Sequence, residues 1–213
     1  MVIKNLCFDH KGGFYHYRVN LPKIQLINEF PELLNYLDGL FSECPNEYFN
    51  CGPRGSCLKF PLNNLNLKEV RGHEISTLAR LGLMDSRERT AHTKVQCYML
   101  EKDNKTVAVE VPIWLEPDEI DFYEELFQTN QQLTGHIDLL RIEDGKIWVW
   151  DYKPNAQKEK FASTQVYFYA LMLSKRIGIP LDKFRCGYFD SNYTYIFNPS
   201  ESLLPKISRI NNF

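Results

Sequence analysis

Two aspartates and a lysine stand on adjoining strand-like segments of the stretch Thr134 to Lys153, TGHIDLLRIEDGKIWVWDYK. Ile137 to Arg141 and Ile147 to Tyr152 are rich in β-branched, aromatic and apolar residues. Glu143-Asp144-Gly145 between them supplies turn chemistry, so a β-hairpin is expected. Side chains alternate across a strand, so Ile147, Val149, Asp151 and Lys153 share one face while Trp148, Trp150 and Tyr152 share the other. On that geometry Asp151 and Lys153 lie roughly 7 Å apart at Cα, and Asp138 on the partner strand can approach them from the side. Carboxylates inside apolar strands are costly to desolvate unless something pairs with them. The two candidates are the lysine, which would make a structural ion pair, and a bound divalent cation.

An acid two residues before a lysine also occurs at Asp9-His10-Lys11, Asp103-Asn104-Lys105 and Asp144-Gly145-Lys146, each with turn-type neighbours. Asp151 differs because it follows an apolar strand and has a second strand aspartate upstream. Past Lys153 the chain turns at Pro154-Asn155, and a helical pattern runs from about Glu159 to Lys175 with Val166, Ala170, Leu173 and Ile177 as its buried stripe. Gln165 and Tyr169, four apart, stack on one face beside that stripe, either to hold a phosphodiester backbone or a base, or as an ordinary polar flank.

Taken in order, GHID, WDYK and QVYFY make the chain resemble the PD-(D/E)XK nuclease superfamily, most closely its RecB-like branch, which includes the CRISPR adaptation exonucleases. The resemblance spans about Ser86 to Asp190 and rests on Gly135 and Asp138, Asp151 and Lys153, and Gln165 and Tyr169. It implies an α/β, restriction-endonuclease-like core with a mixed central sheet flanked by helices. It further implies a metal-dependent DNA nuclease, an exonuclease acting on ends or single strands. Asp138 and Asp151 would hold Mg²⁺ or Mn²⁺ with a helix histidine and the Tyr152 carbonyl, Lys153 would serve the attacking water, and Gln165 and Tyr169 would place the strand. Two rivals stay open: a non-catalytic nucleic-acid-binding relative, and an unrelated fold in which Asp151 and Lys153 are a structural pair.

The elements that must position these residues are read outward from them. A helical segment from Leu67 to Leu83 carries His73, and another from Ser86 to Leu100 carries His92. Both are candidates for the family histidine, and His92 is preferred because its helix runs straight into the strand Thr106 to Trp114. On that strand Val107, Val109, Val111 and Ile113 are expected on one face, Ala108 and Glu110 on the other. Glu110 is either a further acid near the metal or a solvated residue. Pro117 to Gln132, acidic and partly helical, is taken as an insertion, and Arg185 to Phe189 as the last core strand.

Upstream, Val2 to Phe8 and Phe14 to Val19 are expected strands and Ile24 to Phe41 an expected helix reset at Pro31, giving an accessory region at residues 1–84 and a nuclease core at 85–213. Cys44, Cys51 and Cys57 lack the two-residue step of zinc knuckles, and no cysteine follows Cys186, so the chain departs from the relatives that carry an iron-sulfur cluster. A local zinc site and free or disulfide-linked thiols remain the alternatives for that loop. With 213 residues, 44% hydrophobic and 14% aromatic, the chain can bury a full core. It shows no long apolar run and no leader pattern, so a soluble cytoplasmic protein without membrane contact is expected. A net charge of −2 excludes a globally basic nucleic-acid binder, so contact with DNA must come from a local patch. Lys206 and Arg209 in the tail are candidates for such contact. Composition does not speak to the oligomeric state.

Overall fold

The computed structural model describes residues 2–204, so the tail with Lys206 and Arg209 lies outside the described residues. In chain order the elements are β1 (Ile3–His10), β2 (Gly13–Asn20), α1 (Pro31–Glu43), α2 (Tyr48–Cys51), β3 (Lys68–Glu69), α3 (Glu74–Leu83) and α4 (Ala91–Lys102). They continue as β4 (Thr106–Leu115), α5 (Tyr123–Phe127), β5 (Leu133–Glu143), β6 (Lys146–Tyr152), α6 (Ala162–Ile177), β7 (Phe184–Phe189) and β8 (Thr194–Phe197). One eight-stranded mixed sheet runs β1-β2-β4-β5-β6-β7-β8-β3. Among the strands of the described residues only the pair β6 and β7 is parallel, joined by the crossover helix α6 that a parallel pair requires. The α/β class with a mixed central sheet is as expected.

The β5–β6 hairpin closes through Asp144 and Gly145, both at positive φ (51° and 63°), the two-residue turn whose twist suits right-handed strands. Helices cover both faces. Leu33, Leu37 and Leu40 of α1 and most of α6 pack with Ile147 and Val149 on one side. Ile75 and Ala79 of α3 and Val95 and Met99 of α4 pack with Trp150 and Tyr152 on the other. Arg141 of β5, fully buried, ties that second layer down through Asp103 (2.9 Å) and Glu74 (2.5 Å).

Several boundaries depart from the pattern reading. The expected helix at Ile24 to Phe41 is a 3-10 turn over Leu21–Ile27 followed by α1, with Pro31 in its first turn, where the missing N–H costs nothing. Lys68–Glu69 is a strand paired with β8, so α3 starts only after His73, whose Nδ1 accepts from the Ile75 N–H (3.2 Å) as its cap. The helix bearing His92 starts at Ala91, capped by Thr90, rather than at Ser86. Helix α6 starts at Ala162 rather than Glu159, and every residue from Ala162 to Leu173 is buried, so Gln165 and Tyr169 are not an exposed flank. The reason lies in remote chain: Phe60 and Phe127 pack edge-on to Phe168, and the Thr164 hydroxyl donates to the Phe60 carbonyl (2.6 Å).

The alternation expected along β4 breaks at Glu110, which sits at φ 51° inside the strand. A register shift between Thr106 and Ala108 adds a second irregularity, and Val107, Ala108, Val111 and Ile113 pack in the α6 layer while Val109 packs in the α3–α4 layer. Residues 1–84 do not stand apart from this sheet, since β2 pairs with β4 at Arg18 and Val19.

Candidate active site

The candidate cluster forms where the ladder opens. The β5–β6 pairing ends at Leu139 opposite Trp150, and just beyond it the Tyr152 N–H donates to the Asp138 carboxylate (2.8 Å) instead of to a strand carbonyl. Glu110 breaks β4 at the same level, so three acids from three neighbouring strands turn toward one cavity of about 320 Å³. Asp138 and Asp151 are 8% and 2% exposed, so their charges meet almost no bulk water.

Each acid has a specific neighbour. Asp151 Oδ1 accepts from Gln165 Nε2 (2.9 Å), whose amide also donates to the Tyr169 hydroxyl (3.0 Å). Lys153 Nζ lies 2.7 Å from Asp151 Oδ2, a close ion pair on that buried oxygen. Glu110 accepts from Gln96 Nε2 (2.7 Å). His92 Nε2 lies 3.9 Å from Asp138 Oδ2, with its ring edge-on to Tyr152. His73 lies instead against Trp150 on the α3 side, so the structure brings His92 and not His73 to the carboxylates.

Burial, and after it the charge of Asp138, lifts the Asp151 carboxyl to about 7 in spite of Lys153. Burial and then Glu110 lift Asp138 as well, and burial does the same to Glu110. Burial pulls Lys153 down, but Asp151 and Asp138 together outweigh it and hold its ammonium charged. Burial lowers His92, which keeps the imidazole available as a neutral ligand.

Gly135 explains the first position of the GHID stretch. A Cβ there would lie 2.4 Å from Tyr169 Cε1, and one on Gly55 would lie 2.7 Å from the same atom. The two glycines leave the slot through which Tyr169 reaches Gln165. Gly135→Ala should therefore push the tyrosine back, cost about 1–3 kcal/mol by overpacking, and lower any activity that depends on Asp151. Thermal melting and turnover of the variant check this, and unchanged values in both would show that the slot is slack.

Five further residues line or support the cavity without having been singled out by pattern: Tyr15, Arg54, Ser56, His136 and Gln96. Gln96 had a signal, being four residues after His92 and so on the same helix face. Tyr15, Arg54 and Ser56 arrive from the β1–β2 hairpin and the loop after α2, while His136 stands two residues before Asp138 on β5, a strand spacing that puts both on one face. Cys44, Cys51 and Cys57 do not join the site. All six cysteines are free thiols, and burial pushes Cys44 up to about 12, far from the thiolate that zinc requires.

Whether a divalent cation fits can be judged from the donors. Among the described residues, no three His, Cys, Asp or Glu side chains already close around one point. The cavity nevertheless gathers the carboxylates of Asp138, Asp151 and the half-buried Glu110 against Lys153 and Arg54, and that oxygen-rich donor set suits a hard cation. Among the described residues no helix is long and apolar enough to cross a membrane. No curated protein and no solved structure matches the chain. A family model does, over residues 63–199, more than half of the chain and including every carboxylate, amide and lysine of the cluster. On that match and this sheet, the chain belongs to the PD-(D/E)XK nuclease superfamily.

Proposed function

We propose that the protein is a metal-dependent deoxyribonuclease that hydrolyses phosphodiester bonds, working as an exonuclease on ends or single strands. The observation that carries this is the convergence of Asp138, Asp151 and Lys153 in one cavity, with the Lys153 ammonium 2.7 Å from Asp151 Oδ2. Asp138 and Asp151 would hold Mg²⁺ or Mn²⁺, His92 would complete the set, and the Tyr152 carbonyl offers a further hard oxygen. When bound, the ion would lower the pKa of water and polarise the scissile phosphate.

The remaining work falls to the chain's own groups. Gln165, itself held by Tyr169, fixes the rotamer of Asp151 and spends its amide protons there, so its contribution to placing a strand is first to place an acid. Lys153 sits where it can orient the attacking water and offset charge that develops on the phosphate. In this reading residues 85–213 act as the catalytic core, and residues 1–84 complete the cavity with Tyr15, Arg54 and Ser56. The RecB-like branch is favoured by the pairing of His92 with Gln165 and Tyr169 around the two aspartates.

The test is direct. The purified chain should degrade DNA when Mg²⁺ or Mn²⁺ is added and be inert with a chelator. End-labelled linear DNA should lose its label before internal cuts appear, and a closed circle should survive. Cleavage in chelator would remove the metal, and rapid cutting of the circle would remove the exonuclease assignment.

A further inference from the structure

We infer that a single nucleic-acid strand reaches the carboxylates along a track that the first sixty residues help to build, with Arg54 at one end and Lys59 and Lys160 at the other. This rests on the nuclease reading and assigns its substrate form and anchoring residues. The cavity over the carboxylates adjoins a second of about 230 Å³, the two sharing Ser56, Lys153 and Gln165 as common wall. Arg54 lines the first cavity; Lys59, Lys160 and Phe161 line the second.

Arg54 is held in place: one nitrogen donates to the His10 carbonyl (2.8 Å) and another to the Tyr15 hydroxyl. Tyr15 in turn lies flat on His136, ring centroids 3.8 Å apart and 3° from parallel. The guanidinium is thus a fixed cation beside an aromatic plane, with N–H groups left over for a phosphate. Lys59 and Lys160 are exposed and, among the described residues, in no ion pair, while Glu159 is the one acid on the wall of their cavity. Other exposed cations, Arg80 and Lys183 among them, are also in no ion pair among the described residues, so what sets these two lysines apart is their place on the wall next to the carboxylates. Cations alternating with an aromatic residue at each end are the means by which proteins hold single strands, through phosphate contacts and base stacking.

The roof decides between one strand and two. The loop from Pro53 to Leu58 is fixed to β5 by the Thr134 N–H donating to the Pro53 carbonyl (3.0 Å), and Gly55 is pressed against Tyr169. Lifting it would uncover the tyrosine that holds Gln165. With that roof in place and Asp151 only 2% exposed, a flexible single strand has easier access to the acids from beside the loop than a rigid duplex has.

The experiment uses the full chain carrying Asp151→Asn, so that bound DNA is not consumed, and a short fluorescent oligodeoxynucleotide, single-stranded or as a blunt duplex. The single strand should bind at least about tenfold more tightly than the duplex. Adding Lys59→Glu and Lys160→Glu should weaken it by about tenfold or more and reduce the salt slope by roughly 1.4, about 0.7 for each phosphate no longer neutralised. Melting should not change, since both lysines are exposed. Arg54→Gln should weaken binding and Arg54→Lys should do so less. In the active protein the lysine changes should act on KM rather than kcat. Unchanged affinity and slope in a lysine variant, while the parent enzyme still cleaves, would overturn the track and leave the nuclease reading standing. Duplex affinity equal to that of the single strand would overturn the choice of strand. Lysine-dependent binding of the single strand by a wild-type chain that never cleaves would support the track and overturn the nuclease reading instead.

Discussion

Asp138→Asn and Asp151→Asn should each slow metal-dependent cleavage by at least about 10²-fold, and Asp138→Asn should at the same time raise the melting temperature of the metal-free protein at pH 8. The two halves have one cause. Asp138 and Asp151 are buried beside the half-buried Glu110, and burial with mutual repulsion lifts all three, Asp151 to about 7. A folded-state pKa raised above the unfolded one means that the native state binds extra protons in between. The metal-free protein therefore loses stability as pH rises from the ordinary aspartate value of 3.8 toward about 7, and it stays at the lower level above that. An asparagine at position 138 keeps the acceptor for the Tyr152 N–H but removes one of the repelling charges. The gain over wild type should be small at pH 5 and largest at pH 8, and added Mg²⁺ or Mn²⁺ should stabilise the wild type more than the variant. A variant that melts lower than wild type at pH 8, or that cleaves within tenfold of it, would show that Asp138 is not held under strain for a cation.

That strain could be located only in part from the sequence. The β5–β6 hairpin was legible because its signals are local: two apolar runs, a turn whose Asp144 and Gly145 take positive φ, and strand alternation that puts Asp151 and Lys153 on one face. The four-residue step from Gln165 to Tyr169 was legible for the same reason, since helical geometry alone fixes that the two side chains meet. What the hairpin faces was not local. Burial of α6 on its outer side depends on Phe60 and Phe127, and a helical stripe counts only the side that meets the sheet. The break at Glu110 was hidden because TVAVEVPIW alternates well as a strand, and nothing in it announces a residue at positive φ. Arg54 and Tyr15 come from segments with no residue pattern that points to Asp138 and Asp151, more than eighty positions away along the chain.

Lys153→Ala should remove turnover by about 10²-fold or more while leaving the protein folded and able to bind a divalent cation. The structure sharpens this, because the lysine is both the partner of Asp151 at 2.7 Å and a group lining the cavity. Breaking a buried pair from one side ordinarily costs roughly 3 to 5 kcal/mol, since the remaining charge is stranded. Here the stranded acid has an escape. Asp151 already sits near 7, and without the lysine it would sit higher still, so at pH 6 it can take up a proton and the loss of stability should be small. At pH 8 the acid must either stay charged without a partner or hold its proton against a rising pH, and the melting temperature of the variant should fall further below wild type. A divalent cation should close that gap at pH 8, because it takes the place that the ammonium occupied beside Oδ2. Melting curves at both pH values, with and without Mn²⁺, and single-turnover cleavage on the same preparation separate the two roles. A variant rescued in stability by Mn²⁺ yet still inactive assigns the lysine to the chemistry. If Mn²⁺ restores turnover to within tenfold of wild type, the lysine serves only to balance the charge of Asp151, and the water must be oriented by another group.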